Sequence, residues 1–93
     1  MIFEWDESKN EGNKEKHGLY LWEAELVFDD PAAVTLIDDR KDYGESRCVA
    51  IGGIDSVLFV VYTRRKDSIR VISLRKASVK ERNLYHGNSK NDG

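Results

Sequence analysis

The chain has 93 residues, 40% of them apolar and nine aromatic, which sets one domain with a modest core and excludes a disordered chain. No apolar run approaches the roughly 18 residues of a membrane span, and the N-terminus MIFEWDESKN lacks the basic-then-apolar order of a signal peptide. The net charge of −2 hides a segregation: residues 1–63 carry −8, whereas residues 64–82 carry +6. A partner responds to that local potential, so the basic third reads as an anion site, most plausibly for phosphates.

In chain order, Ile2–Trp5 alternates loosely as a short strand. Asp6 is a good N-cap for a helix running to His17, which Gly18 ends after a cationic last turn. Leu21, Ala24, Val27 and Phe28 give a second helix an apolar face, and Asp29-Asp30-Pro31 stops it. The periodicity then changes to strands at residues 33–37, 47–51, 57–62 and 69–74, with a polar loop at 38–44 and a glycine turn at Gly52-Gly53. The third of these is apolar on both sides and therefore central. Lys66-Asp67 is the expected hairpin turn. A last helix begins near Ala77 or Ser78 and runs to about Tyr85, with Val79 and Leu84 as its expected core contacts. Residues 1–86 thus form one domain, and 87–93 a flexible tail. Grouped helices and strands mean α+β: an antiparallel sheet of about four strands, with two N-terminal helices and one C-terminal helix.

Cys48 lies in an apolar stretch and reads as a core residue; a lone cysteine and the missing leader suit a reducing, cytoplasmic setting. No Cys/His spacing suits zinc and no dense carboxylate cluster suits magnesium, so neither a metal nor a cofactor is expected.

A turn at Lys66-Asp67 pairs Arg65 with Ser68. That register puts Tyr62, Arg64, Ser73 and Arg75 on one face, and Thr63, Arg65, Arg70 and Lys76 on the other. A one-residue slip exchanges the groupings, so the register leaves open which arginines meet. Lys76, Lys80 and Asn83 follow helical spacing, as do Ser78, Arg82 and Tyr85. Arginine suits phosphate because its planar fork donates in pairs. His17 reads either as a dipole partner at a helix end or as a proton-transfer group near neutrality.

Phe3-Glu-Trp-Asp6, Asn13 with Lys16-His-Gly18, and Val27-Phe28 with Asp30-Pro31 resemble the BrnT toxin family. The resemblance continues through Arg47, Val60-Val-Tyr-Thr63, Arg65, Arg70-Val-Ile-Ser73, Arg75-Lys-Ala77, Glu81-Arg82 and Tyr85, up to about residue 86. Leu74 stands where the family usually has alanine, and Arg64 where it often has an acidic residue. The resemblance implies a RelE-like α+β fold and a ribonuclease toxin of a type II toxin–antitoxin pair that suppresses translation. It also implies a BrnA-type ribbon-helix-helix antitoxin as partner, through which alone the complex touches operator DNA.

The expected chemistry is metal-independent cleavage of RNA, with no membrane partner. Arg65, Arg75 and Arg82 are the candidates for holding the scissile phosphate, and His17, Tyr85 and Glu81 for proton transfer. Arg64, Arg70, Lys76 and Lys80 are candidates for the flanking backbone, and Tyr62 for stacking on a base. The alternatives are a non-catalytic RNA- or antitoxin-binding module, and a gyrase-targeting toxin of the related ParE kind.

Overall fold

A computed structural model of the chain describes residues 2–38 and 47–91. Five strands form one sheet in the order β1-β5-β4-β3-β2. They are β1 Ile2–Glu4, β2 Val34–Asp38, β3 Arg47–Gly52, β4 Leu58–Arg64 and β5 Ser68–Lys76. The stretch from β2 to β5 is the expected antiparallel meander, with β4 central. The sheet nevertheless has five strands and is mixed, because β1 lies parallel to β5 with Phe3 opposite Ile69. That pairing turns Phe3 onto the core and leads the chain into a helix alongside β5.

That helix is α1, Glu7–His17. The Asp6 side chain accepts from the Ser8 and Lys9 amides, and Gly18 at φ 77° ends the helix in a left-handed conformation that favours glycine. Since β1 ends opposite Arg70, the rest of the β5 edge is left unpaired. Asn13 closes it: its amide donates to the Leu74 carbonyl at 2.7 Å and its oxygen accepts from the Leu74 amide at 3.2 Å. Asn10 in turn accepts from the Leu21 amide at 2.6 Å. Both asparagines are buried, so these bonds satisfy backbone groups that water cannot reach.

The second helix of the sequence reading is two shorter pieces. Leu21–Ala24 is a 3-10 turn, and Glu25–Phe28 (α2) is one α-helical turn. Glu23 accepts from the Tyr20 amide at 2.7 Å and fixes the start, while Asp29-Asp30-Pro31 prevents extension. Leu21, Ala24 and Val27 are fully buried against Leu58, Val60, Tyr62, Ile69, Val71 and Leu74. Cys48 packs at the margin of this core, half-buried.

A bulge decides which residues share a face. From the tip, Arg64 pairs with Ile69, Thr63 with Arg70 and Tyr62 with Val71; the register then shifts, so that Val61 meets Ser73 and Phe59 meets Arg75. Ile72 is the extra residue. Tyr62 and Arg64 therefore face the helices, while Ser73 and Arg75 join Thr63 and Arg70 on the opposite face. The expected grouping of Arg75 with Tyr62 and Arg64 is overturned by this one residue.

The last helix, α3, spans Val79–Asn91. It runs well past Tyr85 and through residues expected to be tail. Val79 and Leu84, expected in the core, are 64% and 50% exposed. The residues facing the protein are instead Glu81 and Tyr85, four apart and so on one side of the helix. The expected polar loop, from residue 39 onward, lies outside the described residues.

Candidate active site

Arg75 is placed by β5, opposite Phe59, on the face away from α1. Its guanidinium lies over the Phe59 ring, 4.1 Å from Cζ to the centroid. Nη1 donates to Glu81 Oε1 at 2.8 Å and to the Lys76 carbonyl at 3.2 Å, while Nη2 donates to Glu81 Oε2 at 2.9 Å. Glu81 thus takes the end of the guanidinium fork. The side edge, Nε–H with the second Nη2–H, has no protein acceptor among the described residues. That edge is itself a bidentate donor of the shape that matches a phosphate. A charged pair on one end, an aromatic ring below and strand backbone behind hold it still.

Glu81 owes its position to the start of α3. The Ser78 hydroxyl accepts from the Glu81 amide at 3.2 Å and the Glu81 carboxylate accepts from the Ser78 amide at 2.8 Å, which is a capping box. The hydrogen bonds from Arg75 bring the Glu81 carboxyl down to about 2, against the opposing push of burial and with help from the Ser78 amide. Arg75 is raised in return, chiefly by its hydrogen bonds to Glu81. A carboxylate that acidic is a feeble proton acceptor. Its geometry suits positioning Arg75 rather than general-base work.

One turn further, the Tyr85 hydroxyl donates to Asp30 Oδ2 at 2.7 Å. Asp30 Oδ2 also accepts from the Gly53 amide at 3.0 Å, and Oδ1 from the Ala32 amide at 2.9 Å. Burial pushes the Asp30 carboxyl up, but these bonds outweigh it and leave it below its ordinary value. The Tyr85 phenol is raised, first by its bond to Asp30 and then by burial. Gly52 permits the approach: a Cβ there would come within 2.9 Å of Ala33 Cβ and 3.0 Å of Asp30 Oδ2. Tyr85 thus anchors α3 over the Asp30 turn, with its proton already committed.

The other candidates divide by place. Lys80 and Arg82 are exposed on α3, next to Glu81 in the chain, whereas Lys76 pairs with Leu58 and so falls on the face opposite Arg75, not with Thr63 and Arg70 as the expected register had it. His17 is half-buried at the end of α1, about one helical turn beyond Asn13, on the helix whose face Arg75 does not share. Arg65 is at the hairpin tip, where its amide bonds the Ser68 carbonyl at 2.9 Å. The tip is six residues of β4 from Phe59, or about 20 Å at strand rise, so Arg65 and Arg75 cannot share one phosphate. Arg64 is on the helix side, lining a shallow cavity of about 510 Å³ with Phe3, Glu25, Phe28 and Asp29. Tyr62 is 2% exposed and meets Phe28 edge-on at 5.0 Å between centroids; its ring belongs to the core and has no open side for a base. Burial raises its phenol.

Phe59 and Asp30 carry the site although the sequence reading gave them no role. Phe59 could be matched to Arg75 only through the bulge. The Ser78-x-x-Glu81 spacing was a visible signal for the capping box, and with it for a Glu81 directed at the sheet.

The family described as "Ribonuclease toxin, BrnT, of type II toxin-antitoxin system" matches residues 5–81. Among solved structures, the chain is similar to the crystal structure of the Brucella abortus ribonuclease toxin, BrnT. The two share 26% identity with a TM-score of 0.60, over 84% of this chain and 99% of that one. No curated protein matches the chain. The α+β arrangement of a five-stranded mixed sheet with three helices is accordingly BrnT-like.

Proposed function

The chain belongs to the BrnT family of ribonuclease toxins of type II toxin–antitoxin systems, and on that premise we propose that it cuts RNA without a metal ion at the Arg75 end of the open sheet face. The observation that carries this reading is the Arg75 guanidinium, one end of which is fixed by Glu81 while its side edge meets no acceptor among the described residues. In the proposed reaction the ribose 2′-oxygen attacks the adjacent phosphorus while a base removes its proton. The 5′-oxygen leaves and takes a proton from an acid, and the products carry a 2′,3′-cyclic phosphate and a 5′-hydroxyl. Arg75 donates to the non-bridging oxygens as charge builds on the phosphorane, with Arg82 adding positive potential. Lys80 holds the flanking backbone.

His17 is the proposed proton-transfer group. What supports that choice is elimination among the candidates: the depressed carboxyl of Glu81 and the committed proton of Tyr85 fit positioning, which leaves the imidazole. The cleavage would suppress translation in the cytoplasm. A BrnA-type ribbon-helix-helix antitoxin would neutralise it by covering the cationic face, and operator DNA would be bound only through that partner.

The test is purified protein, free of antitoxin, with single-stranded RNA in EDTA and analysis of the 3′ ends. Cleavage to 2′,3′-cyclic ends is expected. Intact RNA in the presence of folded protein and added ribosomes would sink the enzyme reading in favour of a non-catalytic binding module.

A further inference from the structure

The open face of the sheet carries a second cationic position, one the Arg75 site does not use. Arg47 of β3 lies directly across from Thr63 of β4, and Thr63 directly across from Arg70 of β5. All three belong to the same face as Ser73 and Arg75, because the bulge at Ile72 restores that alternation. Neighbouring strands are about 4.8 Å apart, so the two arginines stand about 10 Å apart at the backbone with Thr63 between them. Two side chains of that length can converge above the threonine.

Thr63 is the unusual member. It is 1% exposed, and its hydroxyl has no hydrogen-bond partner among the described residues. A buried hydroxyl left unpaired weakens a fold, and valine would fill the same shape at no such cost. Glu4 lies across from Arg70 on β1, and its carboxylate accepts from the Ser68 hydroxyl at 2.6 Å.

We propose that Arg47, Thr63 and Arg70 form a second phosphate subsite, which holds the backbone of the same single strand whose scissile phosphate sits at Arg75. The proposal rests on the ribonuclease reading for the identity of that strand. Thr63 is four residues of β4 from Phe59, hence about 13 Å from the Arg75 row. At 3.4 Å per stacked nucleotide, and more when the strand is extended, that gap corresponds to about two to four nucleotides. The ligand is therefore single-stranded RNA longer than a dinucleotide. Val61 and Ser73 lie in the row between the two cationic positions, so the intervening bases cross a surface without charge.

The probes are fluorescein-labelled 2′-O-methyl oligonucleotides of two and of eight residues, which lack the attacking hydroxyl and cannot be cut. Binding is read by anisotropy for the wild type, Arg70→Gln and Thr63→Val, and each protein's thermal midpoint is measured alongside. The expected result is an octamer bound at least tenfold more tightly than the dimer by the wild type. Arg70→Gln should lose most of that advantage and flatten the salt dependence of octamer binding. Thr63→Val should keep or raise the midpoint while weakening the octamer several-fold. Octamer affinities equal to wild type in both folded variants would overturn the subsite, and so would a wild type that does not distinguish the two lengths. Wild-type cleavage of ordinary RNA is scored separately. A length preference without cleavage removes the ribonuclease reading and keeps the subsite; cleavage without a length preference does the reverse.

Discussion

On the helix-covered face of the sheet, Leu21, Ala24 and Val27 lie at zero exposure against Leu58, Val60 and Leu74. On the other face α3 is held by a bidentate ion pair at Arg75 and a phenol–carboxylate bond at Tyr85, while Val79 and Leu84 turn to solvent. The first face is bound by apolar burial, which is non-directional and roughly proportional to area. On the second face Val49 and Ile51 of β3 are also buried, but α3 itself is held there by directed polar contacts between groups that carry the candidate chemistry. The consequence is a division of labour between side chains: substitutions in the helix-side core should cost mainly stability, and those of the polar groups around Arg75 mainly function.

The largest stability effect should come from Leu74→Ala, which removes a fully buried side chain and leaves a cavity. A loss of about 2–5 kcal/mol is expected in urea unfolding. Asn13→Ala follows: it strands both the amide and the carbonyl of Leu74, so a loss of about 1–3 kcal/mol is expected. A value near zero for either would mean that the helix side is not what holds the fold.

Acid should act on the other side. The Glu81 carboxyl is depressed to about 2 from an ordinary 4.5, so its contribution to docking α3 is complete above about 4.5 and is lost as pH falls towards 2. Hydrogen exchange of α3 amides should rise across that window before the core amides follow, and Glu81→Gln should remove the Glu81 share of the pH dependence, leaving that of the Asp30 carboxylate under Tyr85. Simultaneous exchange in α3 and the core would show that the two faces are not separable. The smallest effect is expected from Leu84→Ser, an exposed change that should stay within about 0.5 kcal/mol of wild type by the same unfolding measurement.

What could be read from the sequence was local. Asp6 as N-cap, Gly18 as helix stop and Lys66-Asp67 as hairpin turn each depend on a few adjacent residues, and each is in place. The apolar pattern likewise set β4 at the centre. What could not be read depends on pairing between distant segments. The parallel docking of β1 on β5 joins residues more than sixty apart, and Ile72 changes the face of Arg75 without any mark in the sequence such as a glycine. For the site the same limit applied. A cluster of arginines was evident, but their division between the tip, the helix side and the open face follows from the bulge. Tyr62 was misread because an aromatic residue beside arginines looks the same in a sequence whether its ring is buried or exposed.

The most direct test of an Arg75 that binds phosphate and is not needed for folding is single-turnover cleavage of RNA by Arg75→Gln, with its unfolding curve measured on the same preparation. The expected result is a fall in cleavage of about 10²–10³-fold with the cooperative unfolding transition retained. Cleavage at the wild-type rate by the folded variant would contradict the assignment of Arg75.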